Sequence, residues 1–211
     1  MKHTHELPNV NLIHAADPSG PEYFGCDQNW YGTEWQRMSG CGPSTASTLL
    51  LYLQRTGRIK LPIQVNEQKD CPLLMDQVWE HVTPTPNGIY RAEQFCQGIE
   101  SFAGQHGFSL QCQTMLISPA QAKRPPLESA ARFIIKALEQ DSPVAFLNLC
   151  NGAVPNLEEW HWLTLVALNA DDDFSEVFVT VFDGDKSDII DFGNWLKTTT
   201  EGGALVFLTA R

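Results

Sequence analysis

Basic residues are scarce. Against 25 Asp and Glu, the 211-residue chain carries 14 Lys and Arg, for a formal charge of −11 at pH 7. No Lys/Arg cluster appears, which excludes the phosphate-reading surface that nucleic acid recognition needs. No apolar run is long enough to span a bilayer, and Met1-Lys2-His3-Thr4-His5-Glu6 has no apolar signal core. A cytoplasmic protein is therefore expected. Cys-x-x-Cys and His-x-x-x-His spacings are also missing, so neither a metal nor any other cofactor is expected. Asp171-Asp172-Asp173 lacks the alternating ligands and glycine of a calcium loop and reads as a solvated hairpin turn. No repeat, low-complexity tract or linker-like shift divides the chain. One domain over residues 1–211 is expected, with the oligomeric state left open.

The six cysteines, at 26, 41, 71, 96, 112 and 150, show no spacing typical of a disulfide framework and read as reduced thiols. Cys96 and Cys112 fall on apolar faces. Cys71, beside Pro72, is the nearest rival to Cys41 but has no glycines around it. Cys41 itself lies in Ser39-Gly40-Cys41-Gly42-Pro43-Ser44-Thr45-Ala46. There a flexible loop is expected to deliver the thiol to the first turn of a long amphipathic helix. Pro43 suits the first helical position, Ala46, Leu49, Leu50 and Leu53 form an apolar stripe, and Gly57 ends it. Free amides and the positive end of the helix dipole favour the reactive thiolate. The flanking glycines leave room for a substrate backbone.

Far downstream, His161 opens a leucine-rich and β-branched run, Trp160-His161-Trp162-Leu163-Thr164-Leu165-Val166-Ala167-Leu168. A second strand, Val177-Phe178-Val179-Thr180-Val181-Phe182, ends at Asp183-Gly184-Asp185. If the two pair as a hairpin, Asp183 returns beside His161. Asp185 and Asn169 are the alternatives. Cysteine, histidine, then carboxylate supplies a nucleophile, a proton carrier and a group that orients the imidazole.

This order resembles the papain-like cysteine peptidases over about residues 23–192, and the Gly-Cys-Gly-Pro-Ser-Thr-Ala block is closer to the bacterial branch that includes the double-glycine leader peptidases. The resemblance also implies a glutamine upstream of the nucleophile as an oxyanion donor. Gln28, in Cys26-Asp27-Gln28-Asn29-Trp30, is preferred to Gln36, in Trp35-Gln36-Arg37. Trp30 and Trp35 precede the nucleophile, where either can line an apolar subsite or pack in the core. Trp160 and Trp162 are expected on the strand face opposite His161. His3 and His5 read as a mobile tail, and His14, His81 and His106 as surface or cap residues.

Helical patterns run from Cys71 to Val82, Arg91 to His106 and Pro126 to Gln140. Strands are expected at Val144–Leu149, around the histidine and aspartate, and at Ala204–Leu208. The fold class is α+β, with a helical half (about 20–140) packed on a C-terminal antiparallel sheet (about 141–211) and a cleft between them. The corresponding function is a thiol-dependent hydrolase acting on a peptide or amide. The alternatives are a thiol acyltransferase, isopeptidase or amidase on the same fold, and a catalytically silent peptide-binding domain.

Overall fold

The computed structural model describes residues 2–15, 20 and 22–210; Met1 and Arg211, the ends of the expected domain, lie outside them. In chain order the strands and helices are β1 (Lys2–Glu6), α1 (Glu34–Ser39), α2 (Cys41–Arg55), α3 (Cys71–Trp79), α4 (Ala92–Gln105), β2 (Leu110–Ile117), α5 (Leu127–Glu139) and β3 (Val144–Asn148), then β4 (His161–Asp171), β5 (Val177–Asp183), β6 (Lys186–Asp191), α6 (Phe192–Thr198) and β7 (Gly203–Ala210).

The strands form one antiparallel sheet in the order β2-β7-β3-β4-β5-β6. On the side away from β5, β4 takes two successive partners: β3 pairs with residues 161–165 and β1 with 167–171. Both sheet faces are covered. Ala145, Leu147, Trp162 and Val206 pack on one side with Leu49, Leu74, Val78, Phe95 and Phe102 of α2, α3 and α4. Val144, Phe146, Leu165 and Phe207 pack on the other with Ile134, Leu138 and Trp195 of α5 and α6. Successive strand residues point to opposite faces, so a doubly covered sheet needs continuous apolar strands, as β3, β4 and β7 have.

The α+β class stands, but the two halves interleave in sequence. β1 and β2 belong to the sheet although both precede residue 141, and α5 covers the face opposite α2. Lys2–Glu6 is a paired strand and not a mobile tail; His3 Nε2 meets Asp172 Oδ1 at 2.6 Å. Helix α2 also differs from the amphipathic expectation, because every residue from Gly42 to Leu53 is buried. Two of its buried hydroxyls bond back within the helix: Ser47 donates to the Pro43 carbonyl (2.8 Å) and Thr48 to that of Ser44 (3.0 Å). A helix sunk this deeply sets the position of its first residue rigidly.

Candidate active site

Cys41 is the first residue of α2 and is half-buried. No flexible loop precedes it. Glu34–Ser39 is a helix closed by a reciprocal capping box in which Gln36 N donates to Thr33 Oγ1 (3.2 Å) and Thr33 N donates to Gln36 Oε1 (3.1 Å). Arg37 ties this turn down through the carbonyls of Tyr31 (2.8 Å) and Gly32 (3.1 Å). The thiol therefore sits at a corner between two helices. Pro43 is the third helical residue and not the first, yet it still falls in the turn whose amides have no intrahelical acceptor.

The glycines beside the thiol serve packing more than access. A Cβ on Gly40 would collide with the Gln36 carbonyl oxygen and lie 2.8 Å from the Tyr31 ring, and one on Gly42 would press on Ile89 at 3.1 Å.

His161 is placed by β4, where it pairs with Asn148 of β3. Asn148 is fully buried. Its amide donates to the Glu158 carbonyl (2.6 Å) while its oxygen accepts from the Trp195 indole (2.7 Å), so one side chain anchors the loop that leads into His161. The asparagine within the otherwise apolar Val144–Leu149 run is the sequence signal for this role.

The hairpin arithmetic brings Asp183 to the histidine. With Thr164 opposite Phe182, the end of β5 lies beside the start of β4, and His161 Nε2 meets Asp183 Oδ2 at 2.9 Å. Burial by itself would lower the His161 pKa, but hydrogen bonds to Asp183 and Cys41, and the negative charge each can carry, outweigh it and raise the value to about 10. Asp185 is exposed in the two-residue turn Gly184-Asp185, and Asn169 lies in β4 where it accepts from Thr4 Oγ1.

Gln28 opens a short turn, Gln28–Trp30, capped by Asp27, which accepts from the Asn29 amide at 2.8 Å. This segment docks on the Asp183 turn: Phe24 N donates to the Gly184 carbonyl (2.7 Å), and a Cβ on Gly184, which has φ +57°, would stand 2.9 Å from Asp27 Cγ. Burial raises the Asp27 pKa against the pull of the Asn29 amide, and Asp183 and Asp185 raise it further. Gln28 borders one pocket with Cys41 and Asp183 and another with His161. Its Oε1 is buried with no hydrogen-bond partner among the described residues. Gln36, in contrast, is committed to the capping box.

The remaining thiols differ sharply. Cys71 is fully buried in the core. Cys150 is partly exposed with its pKa lowered by hydrogen bonds from Thr200 and the Gly152 amide, and half-buried Cys96 is lowered by the Cys112 thiol, so these two, and not fully buried Cys71, are the other reactive-thiol candidates. Among the described residues, Glu158, His161 and Asp183 bring three ligand atoms within 4.8 Å of one another. Two of them already bond each other.

The tryptophans divide. Trp162 is buried, stacked on Phe95 at 4.3 Å, and donates to the Ile89 carbonyl at 2.7 Å. Trp160 does not share its face, because it precedes the strand at φ +55° and is 55% exposed. Trp30 packs edge-on against Tyr23, and Trp35 is exposed beside Cys41.

No family model and no curated protein matches the chain. Among solved structures it is similar to UfSP from C. elegans, whose fold is papain-like, at 13% identity and a TM-score of 0.55. The match covers 97% of this chain and 36% of UfSP, so the chain spans about a third of the length of that neighbour. The likeness shows the papain-like fold. It offers no support specific to the leader-peptidase branch.

Proposed function

We propose that the protein is a cysteine peptidase or closely related thiol hydrolase in which Cys41 is the nucleophile, His161 the proton carrier, Asp183 its orienting carboxylate and Gln28 an oxyanion donor, acting as one catalytic unit. The observation that carries this reading is the 2.9 Å contact of His161 with Asp183 on a ring that also interacts with Cys41 at the start of a buried helix. The Gly40-Cys41-Gly42-Pro43 block favours kinship with the leader-peptidase branch.

In the first half-reaction the Cys41 thiolate forms a C–S bond to the carbonyl carbon, and the carbonyl oxygen takes the negative charge. The Gln28 side-chain amide and the Cys41 backbone N–H donate to that oxygen. As the tetrahedral species collapses, the imidazolium gives its proton to the leaving nitrogen, the C–N bond breaks and a thioester remains. Water then adds to the thioester as the imidazole takes its proton. The C–S bond breaks, freeing the acid and restoring the thiolate–imidazolium pair.

Substoichiometric iodoacetamide labelling across pH, mapped by mass spectrometry, tests this directly. Cys41 is expected to label fastest under mildly acidic conditions, and His161→Ala should slow it. Equal rates at Cys41 and Cys150 that ignore His161 would remove the nucleophile assignment.

The elevated His161 pKa fixes the sign of the pH dependence. A histidine raised from 6.5 to about 10 contributes stability that is complete below 6.5 and is lost as pH climbs through 10. Turnover, which requires the imidazolium, should fall over the same alkaline limb. Asp183→Ala should lower turnover more than Asp185→Ala and move that limb to lower pH, while Asp183→Asn retains part of the activity. Should Asp185→Ala alone move the limb, the orienting role passes to Asp185.

A further inference from the structure

The thiols other than Cys41 and Cys150 meet in two pairs. Cys26, just before Gln28, hydrogen-bonds with Cys71 at the start of α3, and Cys96 of α4 hydrogen-bonds with Cys112 of β2. The pairs differ in access. Cys26 and Cys71 lie in the core at 5% and 0% exposure, whereas Cys96 and Cys112 are both half-buried where α4 packs on the edge strand β2. An oxidant in solvent can reach only the second pair. Its contacts come from both elements. Cys112 and Thr114, two residues apart, share one face of β2, and Thr114 Oγ1 lies 3.5 Å from Cys96 Sγ. One helical turn beyond Cys96, Glu100 Oε1 accepts from the Cys112 amide at 3.4 Å. Helix and strand are thereby held with the two sulfurs in contact.

We propose that Cys96 and Cys112 form a hydroperoxide-responsive site, separate from Cys41, in which Cys96 is oxidised and Cys112 resolves it as a reversible disulfide between α4 and β2. The two thiols are unequal. The hydrogen bond from Cys112 lowers the Cys96 pKa against burial, and Thr114 lowers it further, while hydrogen bonding to Cys96, burial and the charges of Cys96 and Glu100 raise that of Cys112. Cys96 is therefore the sulfur that carries the negative charge, and the thiolate is the nucleophile.

The Cys96 thiolate attacks one oxygen of the hydroperoxide, so that an S–O bond forms, the O–O bond breaks and the departing oxyanion takes a proton to leave as an alcohol or water. Sulfur has given two electrons to the peroxide and is now a sulfenic acid. The Cys112 sulfur then attacks Cys96; the S–S bond forms, the S–O bond breaks, and the released hydroxide leaves as water with the Cys112 proton. Two thiols and one hydroperoxide thus become one disulfide, one alcohol or water, and one further water. A dithiol reverses the bond by exchange. The bond needs the sulfurs about 2.05 Å apart, a closure from hydrogen-bond contact that rotation about the two Cα–Cβ bonds supplies. A resolving thiol also keeps the sulfenic acid from the irreversible steps beyond it. Cys150, whose sulfur meets Thr200 Oγ1 (3.2 Å) and the Gly152 amide (3.5 Å), has no thiol beside it among the described residues.

The central measurement needs no substitution at the pair. The full chain carrying Cys41→Ala, reduced and freed of reductant, is treated with hydrogen peroxide, its remaining thiols are alkylated, and it is digested without reduction by a protease that cleaves after glutamate, which parts the two cysteines at Glu100. A linked Cys96–Cys112 peptide is expected as the main disulfide product, lost on adding dithiothreitol. It should form at least about tenfold faster in the native chain than in denaturant, because the fold holds the sulfurs together. Cys26 and Cys71 should remain unlinked and open to alkylation only after unfolding. Dimedone then assigns the roles: Cys112→Ser should be labelled at Cys96, and Cys96→Ser should carry no label at Cys112. Absence of the linked peptide, equal rates in native and unfolded chains, a Cys26–Cys71 link in greater yield, or dimedone at Cys112 in place of Cys96 would each overturn the proposal. The readout is a covalent link in a chain without Cys41, so neither result bears on the hydrolase reading.

Discussion

Replacing Cys41 with Ala, or His161 with Gln, should each abolish peptide turnover, by a factor on the order of a million where nucleophile and base act as a unit. The double variant should be scarcely worse than either single one, because once the thiolate cannot form, the proton carrier has nothing to serve. Cys41→Ala removes only a sulfur from a half-buried position, so the fold should persist and the loss can be read as chemistry. His161→Gln keeps a polar partner for the buried end of Asp183, which a deletion to Ala would strand. The decisive control is Cys150→Ser. Its thiol pKa is lowered and it is open to reagent, so a chain that loses activity with Cys150 and keeps it without Cys41 would move the chemistry to another part of the protein.

The residues that converge at this site were legible because each carries a local signal that topology preserves. Cys41 starts a helix, His161 starts a strand and Asp183 ends the next one, and a hairpin brings the last two together by register alone. Where local signals were absent, the expectations failed. Lys2–Glu6 has no apolar alternation, and only pairing along the far half of β4 makes it a strand. Glu34–Ser39 is too short for a periodic pattern, so its helix depends on the Thr33–Gln36 box and was not foreseen. The apolar stripe of α2 was visible, but burial on all sides follows from two helices and a sheet closing around it. Trp160 continues the strand pattern in sequence, whereas its backbone turns to positive φ one residue before the strand begins. The support around His161 lies in Asn148 and Trp195, 47 residues apart, a pairing that no spacing rule reveals.

Gln28→Ala should lower turnover about a hundredfold, the cost of losing one oxyanion donor, without a comparable loss of substrate binding. The amide matters only once negative charge has developed on the carbonyl oxygen, so the effect should fall on kcat rather than KM. Its present environment fits that demand: Gln28 borders the Cys41 pocket, yet its Oε1 is buried without a partner among the described residues. A buried polar atom left unpaired disfavours the resting state, and such groups concentrate where function holds them in place. Gln36→Ala is the contrast. Its side chain closes the Thr33 capping box, so its loss should cost about 1 kcal/mol of stability, seen as a lower Tm, with little change in kcat. Labelling of Cys41 should survive both substitutions, because neither glutamine takes the thiol proton. If Gln36→Ala abolished turnover while Gln28→Ala left it intact, the oxyanion role would pass to Gln36. If neither lowered it, the amides of the α2 N-terminus would carry the charge alone.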